Sequence, residues 1–529
     1  MEKRIPELEV WLSLAQERGV TAKIARLLDT DVPPKGSPRE IFAQDEDLLY
    51  PASVHKAGGD VLALLKLKLD TALGVFGKNR NGFKGIRRDS NGMPVQFCAL
   101  NHANAEELRK ALPFTAPSPL SGMDVTIGVG DRLGVASPGH IRLFQSLNEK
   151  TLKVKGIKIA PVFAQQSVRE ITLTDRVYED VLDSASWAVF QEGFEEPWGA
   201  DGDHLKTVDW VKKALKIGFT MITADVSDYI RGEFASLEER EILAIYEKRT
   251  DKSERARLEG RYLNLFLELD TGDVIRLSRA DLARATLVYS EALEYALAIY
   301  QTGMRTGKVF DFELSIDETE TPTLPQAHVF IANEMKERDV RISSLAPRFV
   351  GEFQKGIDYI GDKREFESTF KIHAAIAREF GYRLSVHSGS DKFTVFPAVG
   401  KYTNYRFHLK TAGTNWLQAL LVIAETEPAF FRKLYGAALK VFPEARKYYH
   451  ITPNLENLPD LAALLDSQLP VVFENIDARQ VLHVTYGELF KDKELKKQFF
   501  SILARRMERY WESLYQHIGK HFKYLGLTK

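Results

Sequence analysis

The sequence predicts an α/β protein built on a TIM-like (β/α)8 barrel, on three observations. Eight short runs of apolar and small residues recur after residue 119. Most begin about 25–40 residues apart, the length of one βα unit, and eight such units close a barrel. Polar residues with chemical capability gather at the C-terminal ends of these runs, where a parallel barrel builds its active site. The full expectation is a barrel with an N-terminal α/β region, a helical insertion after the fourth strand and a C-terminal helical extension.

Residues 1–118 are the N-terminal α/β region. The opening "MEKRIPELEVWLSLAQERGV" is amphipathic but interrupted by charges, with no signal-peptide apolar core. "DVLALLKLKLDTALGVF" reads as helical and "MPVQFCAL" as a strand, and the Pro-rich "LPFTAPSPLSG", Leu112 to Gly122, reads as a linker. The barrel occupies 119–415. Its expected strands are "DVTIGVGDR" (124–132), "IKIAPVFAQQS" (157–167), "WAVFQEG" (187–193), "FTMITADVSD" (219–228), "VFDFELSID" (309–317), "ISSLAPRF" (342–349), "YRLSVHSGSD" (382–391) and "FHLKTAGT" (407–414). A charged, helical insertion fills about 230–305. Residues 416–529 form the C-terminal helical region, with stretches such as "WLQALLVIAE" and "KELKKQFFSILARRMERYWESLYQHIGKHF".

Composition narrows the class. The chain has 529 residues, 44% hydrophobic and 27% charged, which suits a globular enzyme of more than one domain. A net charge of −1 gives no global attraction for nucleic acid or an anionic membrane. The single Cys98 excludes an intramolecular disulfide and fits a reducing, cytoplasmic compartment. No window approaches the roughly 20 apolar residues of a membrane span.

The stretch "VFDFELSIDETETPT" carries the first chemical signal. Phe310, Phe312, Leu314 and Ile316 alternate with Asp311, Glu313, Ser315 and Asp317. Parallel barrel strands are covered outside by helices, so the acidic face points inward. Buried carboxylates require a metal, Lys or Arg as partner. His387, His408 and the Asp203–His204 pair, together with Glu313, supply enough N and O ligands for one divalent transition metal (Zn, Mn, Co or Ni). The bland alternatives are a turn histidine at 387, a structural His408 and an Asp203 that only caps a helix. "GVGDRLG" (128–134) fails as a dinucleotide fingerprint, because the third glycine falls one residue late.

The motifs "GVGDRLGVASPGHIR", "PVFAQQSVRE", "GADGDHLKT", "GFTMITADVSD", "SIDETETPT", "GIDYIGD", "SVHSGSDKF", "FHLKTAGT" and "HVTYG" closely resemble the tagaturonate/fructuronate epimerase family, in order, over roughly residues 120–490. The resemblance implies a metal-dependent isomerase of hexuronate metabolism that interconverts D-tagaturonate and D-fructuronate, with relatives acting on tagatose and fructose. The inverted carbon lies one position beyond the ketone-adjacent carbon, so a retro-aldol/aldol route is implied. On this basis His204, His387 and His408 are assigned to the metal and Asp203 and Glu313 to acid/base chemistry, with Glu313 equally suited to ligation. Gln166, Ser167 and Thr223 are assigned to sugar hydroxyls, and Arg132, Arg348 and Lys410 to the carboxylate. The expected partner is a small sugar acid or ketose, with no nucleic acid and no membrane; a homo-oligomer is left open. Two other classes compete: a metal-dependent ketose or uronate isomerase acting through an enediol, and a non-catalytic sugar-binding barrel.

Overall fold

The computed structural model describes residues 5–29, 36–68, 70–79 and 82–529, so the first four residues of the N-terminal stretch lie outside the described residues. The chain divides into two compact units, one of Met1–Pro117 with Tyr178–Pro197, the other of Ser118–Val177 with Trp198–Lys529.

The smaller unit is built on an antiparallel sheet of β1 (His55–Ala57), β2 (Asp60–Lys66), β3 (Thr71–Gly77), β4 (Gly85–Ser90) and β5 (Met93–Cys98), in the order β1-β2-β3-β5-β4. The stretch expected as helix is the β2–β3 hairpin. Every residue of β2 but Lys66 is buried, because both faces of the sheet are covered. Val61, Ala63 and Leu65 join a core with Leu8, Trp11 and Leu12 of the helix Ile5–Glu17. Leu62 and Leu64 join another with Leu108, Trp187 and Phe190. With both faces apolar, the alternation that marks a strand is erased.

The larger unit holds a closed barrel of eight parallel strands. They are β6 (Val125–Gly128), β7 (Ile159–Ser167), β8 (Gly199–Leu205) and β9 (Met221–Asp225), then β12 (Asp311–Ser315), β13 (Ser344–Ala346), β14 (Arg383–Val386) and β15 (Phe407–Lys410). The insertion after β9 contains helices Glu239–Arg249 and Lys252–Tyr262, the small hairpin of β10 (Leu267–Glu268) and β11 (Val274–Ile275), and the 26-residue helix Arg279–Met304. Six α-helices follow the barrel between Thr414 and Tyr524, five of them nine residues or longer.

The third barrel strand differs from the expectation. Trp187–Glu192 lie in the helix Tyr178–Glu192, and the strand is Gly199–Leu205, "GADGDHL". Its polar sequence hid it. Gly199 and Gly202 leave no room for side chains, since an added Cβ would meet Leu120 Cδ1 at 2.8 Å and Leu205 Cδ1 at 3.0 Å.

β12 shows how the barrel sorts its residues. Phe312, Leu314 and Ile316 are fully buried beneath the outer helices, each worth about 1.5–3 kcal/mol relative to exposure. Glu313 and Ser315 alternate with them and turn inward, as strand geometry requires. At the opposite end of the strand, Asp311 accepts hydrogen bonds from Leu120 N (2.5 Å) and Ser343 Oγ (3.1 Å). No helix among the described residues is long and apolar enough to cross a membrane.

Candidate active site

A cleft opens at the C-terminal ends of the barrel strands. Its lining includes Asp203, His204, Asp317, His387 and Lys410, drawn from four strand ends and brought together only by barrel closure.

At the cleft floor, Lys410 organises three carboxylates. Its Nζ lies 3.0 Å from Asp201 Oδ2, 2.6 Å from Asp203 Oδ1 and 2.9 Å from Glu313 Oε1, and donates to Thr223 Oγ1 at 2.6 Å. Burial works against the ammonium, but the three acids outweigh it and hold the Lys410 pKa well above its ordinary value. Burial, then the repulsion of Asp203 and Glu313, pushes the Asp201 carboxyl up to about 6 against the pull of Lys410. Burial likewise opposes the charge on Asp203, yet Lys410 and His204 keep that carboxyl well below the usual range.

Two histidines stand at the mouth. His204 Nδ1 donates to Asp203 Oδ1 (2.8 Å) and His387 Nε2 to Glu313 Oε1 (2.7 Å), so each ring is backed by a buried carboxylate. The rings lie 4.9 Å apart, centroid to centroid. His387 Nδ1 is buried and sits 3.0 Å from Asp317 Oδ1. One ligand atom from each of His204, Asp317 and His387 falls within 4.8 Å of the others. Imidazoles fixed through one nitrogen by a carboxylate, with the other nitrogen facing a shared point, form the pattern of a carboxylate–histidine–metal site. Burial lowers the His204 pKa, but Asp203 overrides it and pushes it up to about 10.

The local backbone serves this arrangement. His204 has φ 53, a left-handed conformation, at an irregularity in the β8–β9 pairing between Gly202 and Leu205. Strand alternation would send Asp203 and His204 to opposite faces. The bulge returns His204 to the inner side, so consecutive residues both line the cleft.

The residues expected at the site are distributed unevenly. Asp203, His204, His387, Lys410, Ser167 and Arg132 line the cleft. Glu313 and Thr223 lie below it: Glu313 is fully buried and accepts from His387, Lys410, Ser344 and Thr223. His408 sits two residues before Lys410, one layer deeper, with Nδ1 2.8 Å from Thr126 Oγ1. Burial drives its pKa down to about 3, and it is not part of the His204–Asp317–His387 group. Gln166 is not in the lining, because strand parity turns it outward to donate to Asp131 O (2.8 Å) while Gln165 takes the inward place. Arg348 is also absent from the lining; its Nη2 reaches Glu352 Oε1 at 3.4 Å. "GVGDRLG" owes its glycines to packing, since a Cβ on Gly128 would collide with the Gln165 side chain and one on Gly130 with Gln165 O.

Asp201 and Asp317 were not singled out as site residues from the sequence. Asp201 was hidden with its strand, whereas Asp317 continues the inward acidic face that begins at Asp311. A further group, Asp391, His517 and His521, could also hold a metal on distance alone. There Arg479 Nη2 lies 2.6 Å from Asp391 Oδ2, and His521 Nε2 accepts from Asp391 N (3.1 Å). That group already carries its cation and its hydrogen bonds, which marks it as structural.

The tagaturonate epimerase family model matches residues 50–525. The chain is 41% identical over 466 residues to the tagaturonate/fructuronate epimerase of Thermotoga maritima, covering 88% of this chain and 91% of that one. Its structure is similar to a glycerol-complexed crystal structure of fructuronate-tagaturonate epimerase from Cohnella laeviribosi, with a TM-score of 0.86, 44% identity and coverage of 93% of this chain and 98% of that one. The native crystal structure of that protein gives the same TM-score of 0.86 at 43% identity. With a family model spanning nearly the whole chain and a curated relative this similar, the chain belongs to the tagaturonate epimerase family.

Proposed function

We propose that this protein interconverts tagaturonate and fructuronate in a reducing, cytoplasmic setting, using one divalent transition metal. The observation that carries the reading is the pair of carboxylate-backed imidazoles facing Asp317. His204, His387 and Asp317 would hold the metal, a mixed nitrogen and oxygen set suited to Zn, Mn, Co or Ni. His387 Nδ1 faces Asp317 Oδ1 at 3.0 Å, as two ligands of one ion would. When bound, the ion supplies Lewis-acid polarisation of a ketone and its neighbouring hydroxyl.

The two keto acids differ at a carbon whose hydrogen is not acidified by the ketone. Inversion therefore proceeds by breaking the bond between that carbon and the ketone-adjacent one, turning the aldehyde fragment and re-forming the bond. The chain's own residues must accept a proton from the hydroxyl on the inverted carbon, then return it. Asp203 is placed for this: it lines the cleft, is held ionised, and has Lys410 Nζ 2.6 Å from Oδ1 to steady the charge as the proton moves. Glu313, screened by four donors, serves to hold His387 and Lys410 rather than to meet substrate. Ser167 and Gln165 offer hydrogen bonds to hydroxyls, and both Gln165 amide atoms are buried without partners.

The test is to incubate purified protein with tagaturonate in deuterated water and follow fructuronate formation with and without exhaustive chelation. The reading expects epimerisation that chelation abolishes and added metal restores, with no deuterium fixed on carbon. Solvent deuterium next to the carbonyl would instead indicate an enediol isomerase, and full activity after chelation would end the metal assignment.

A further inference from the structure

One wall of the cleft holds two cations that no carboxylate pairs with among the described residues, beside a third, Arg132, that Glu170 binds. Lys355 Nζ donates to Ser388 Oγ (2.8 Å) and pairs with no carboxylate among the described residues. Arg169 donates from Nη1 to Tyr448 O (3.1 Å) and stacks on Tyr449 at 4.9 Å, again without a carboxylate. Arg132 is held by Glu170 through Nε (2.8 Å) and lies 4.6 Å over the Tyr486 ring, which leaves its buried Nη1 without a partner.

His483 completes this wall. It comes from the helix Ile476–Val484, outside the barrel strands, yet lines the cleft. It is 1% exposed, and neither ring nitrogen has a hydrogen-bond partner. Two glycines make room for it: a Cβ on Gly356 would stand 3.2 Å from His483 Cβ, and one on Gly413 would collide with its Nε2. Both nitrogens are open to a polar group bound in the cleft, and such a contact would offset the roughly 1–3 kcal/mol that an unsatisfied buried polar group costs. Burial, then Arg132 and Lys355, holds it neutral, with its pKa well below the usual value, so one nitrogen keeps a proton to donate.

We infer that Lys355, His483 and the free edge of Arg132, with Arg169 at the rim, form a subsite for the carboxylate of the substrate. It is this subsite that lets the enzyme select a sugar acid over a neutral ketose. The inference rests on the epimerase reading for the identity of the sugar, but not on the metal or on the bond that breaks. The groups match the ligand: a carboxylate accepts several hydrogen bonds and is the anion that guanidinium and ammonium bind best. In the proposed cleavage the carboxylate stays on the aldehyde fragment. Holding it there gives that fragment a pivot and prevents its escape while the carbonyl face is exchanged.

The test uses Lys355→Met, Lys355→Arg and His483→Gln in the full-length protein, with galactonate as an unreactive acid and galactitol as its neutral counterpart. Wild type is expected to bind galactonate more tightly than galactitol. Lys355→Met should weaken galactonate about 10–100-fold, the loss typical of a charge-assisted contact, and leave galactitol within about twofold. Lys355→Arg should restore most of the preference, and His483→Gln should lose part of it. An unchanged galactonate affinity in Lys355→Met, an equal loss for both ligands, or a wild type that does not prefer the acid would each overturn the subsite. Absence of tagaturonate turnover alongside an intact acid preference would instead overturn the epimerase reading and spare the subsite.

Discussion

Glu313→Gln tests the logic of the site most sharply, because it changes charge with little change in shape. In the native protein Oε1 receives His387 Nε2 (2.7 Å), Lys410 Nζ (2.9 Å) and Thr223 Oγ1 (3.2 Å), while Oε2 receives Ser344 Oγ (2.5 Å). The glutamine amide has one favourable setting: its oxygen must face the three donors and its NH2 must face Ser344, whose hydroxyl can turn to accept. All four contacts survive, so the fold should hold. What is lost is the negative charge that orients His387 and raises the basicity of its free nitrogen. Removing such a supporting carboxylate typically weakens metal binding 10–100-fold, about 1.4–2.8 kcal/mol. Competition against a chromophoric chelator would measure this, with far-UV circular dichroism to confirm folding. If metal affinity in Glu313→Gln matched wild type, Glu313 would not be supporting a ligand, and the assignment of His387 would fail with it.

Asp317→Asn should strip metal from protein isolated by gel filtration, whereas His408→Gln, altered one layer deeper, should keep its metal content within about twofold; elemental analysis distinguishes them. Asp391→Ala takes the carboxylate from the half-buried Arg479 and from His517 and should cost about 1–3 kcal/mol, read as a lowered urea midpoint. The Asp391 pKa in the folded protein lies below its unfolded value; burial opposes this, but His517 and Arg479 prevail. Its stabilisation is therefore complete above about pH 4 and is lost as pH falls toward the folded value, so Asp391→Asn should flatten the acid limb of a stability–pH curve. Cys98 is fully buried and burial pushes its thiol up to about 12, so a disulfide reagent should find no thiol in native protein and one in denaturant.

The barrel was legible wherever a strand buried one helix-facing apolar side, as Phe312, Leu314 and Ile316 do against an inward Glu313. It was illegible at β8, where Gly199 and Gly202 replace apolar bulk and the inward positions are acids. β2 failed for the opposite reason, since cover on both sides left Val61 through Leu65 all apolar and removed the period of two. At the site, residue type was readable but depth and parity were not. His408 and His387 look alike in the sequence, yet one lies a layer below the mouth. Gln165 and Gln166 differ only in which way the pleat turns them. His483 opens the motif "HVTYG", yet its place in the cleft could not be read from it, because a residue of a distant helix enters the cleft only through tertiary packing.

The left-handed backbone at His204 bears on how this centre can change. If His204 holds the metal as proposed, a replacement there must tolerate positive φ as well as reach the ion, and a branched side chain such as Thr or Val is excluded by the first demand. Asn and Asp, which meet both, present oxygen instead of nitrogen. Drift at this one position would thus shift the centre toward harder ions, so that the twist of a single peptide unit narrows which elements the enzyme's descendants could adopt.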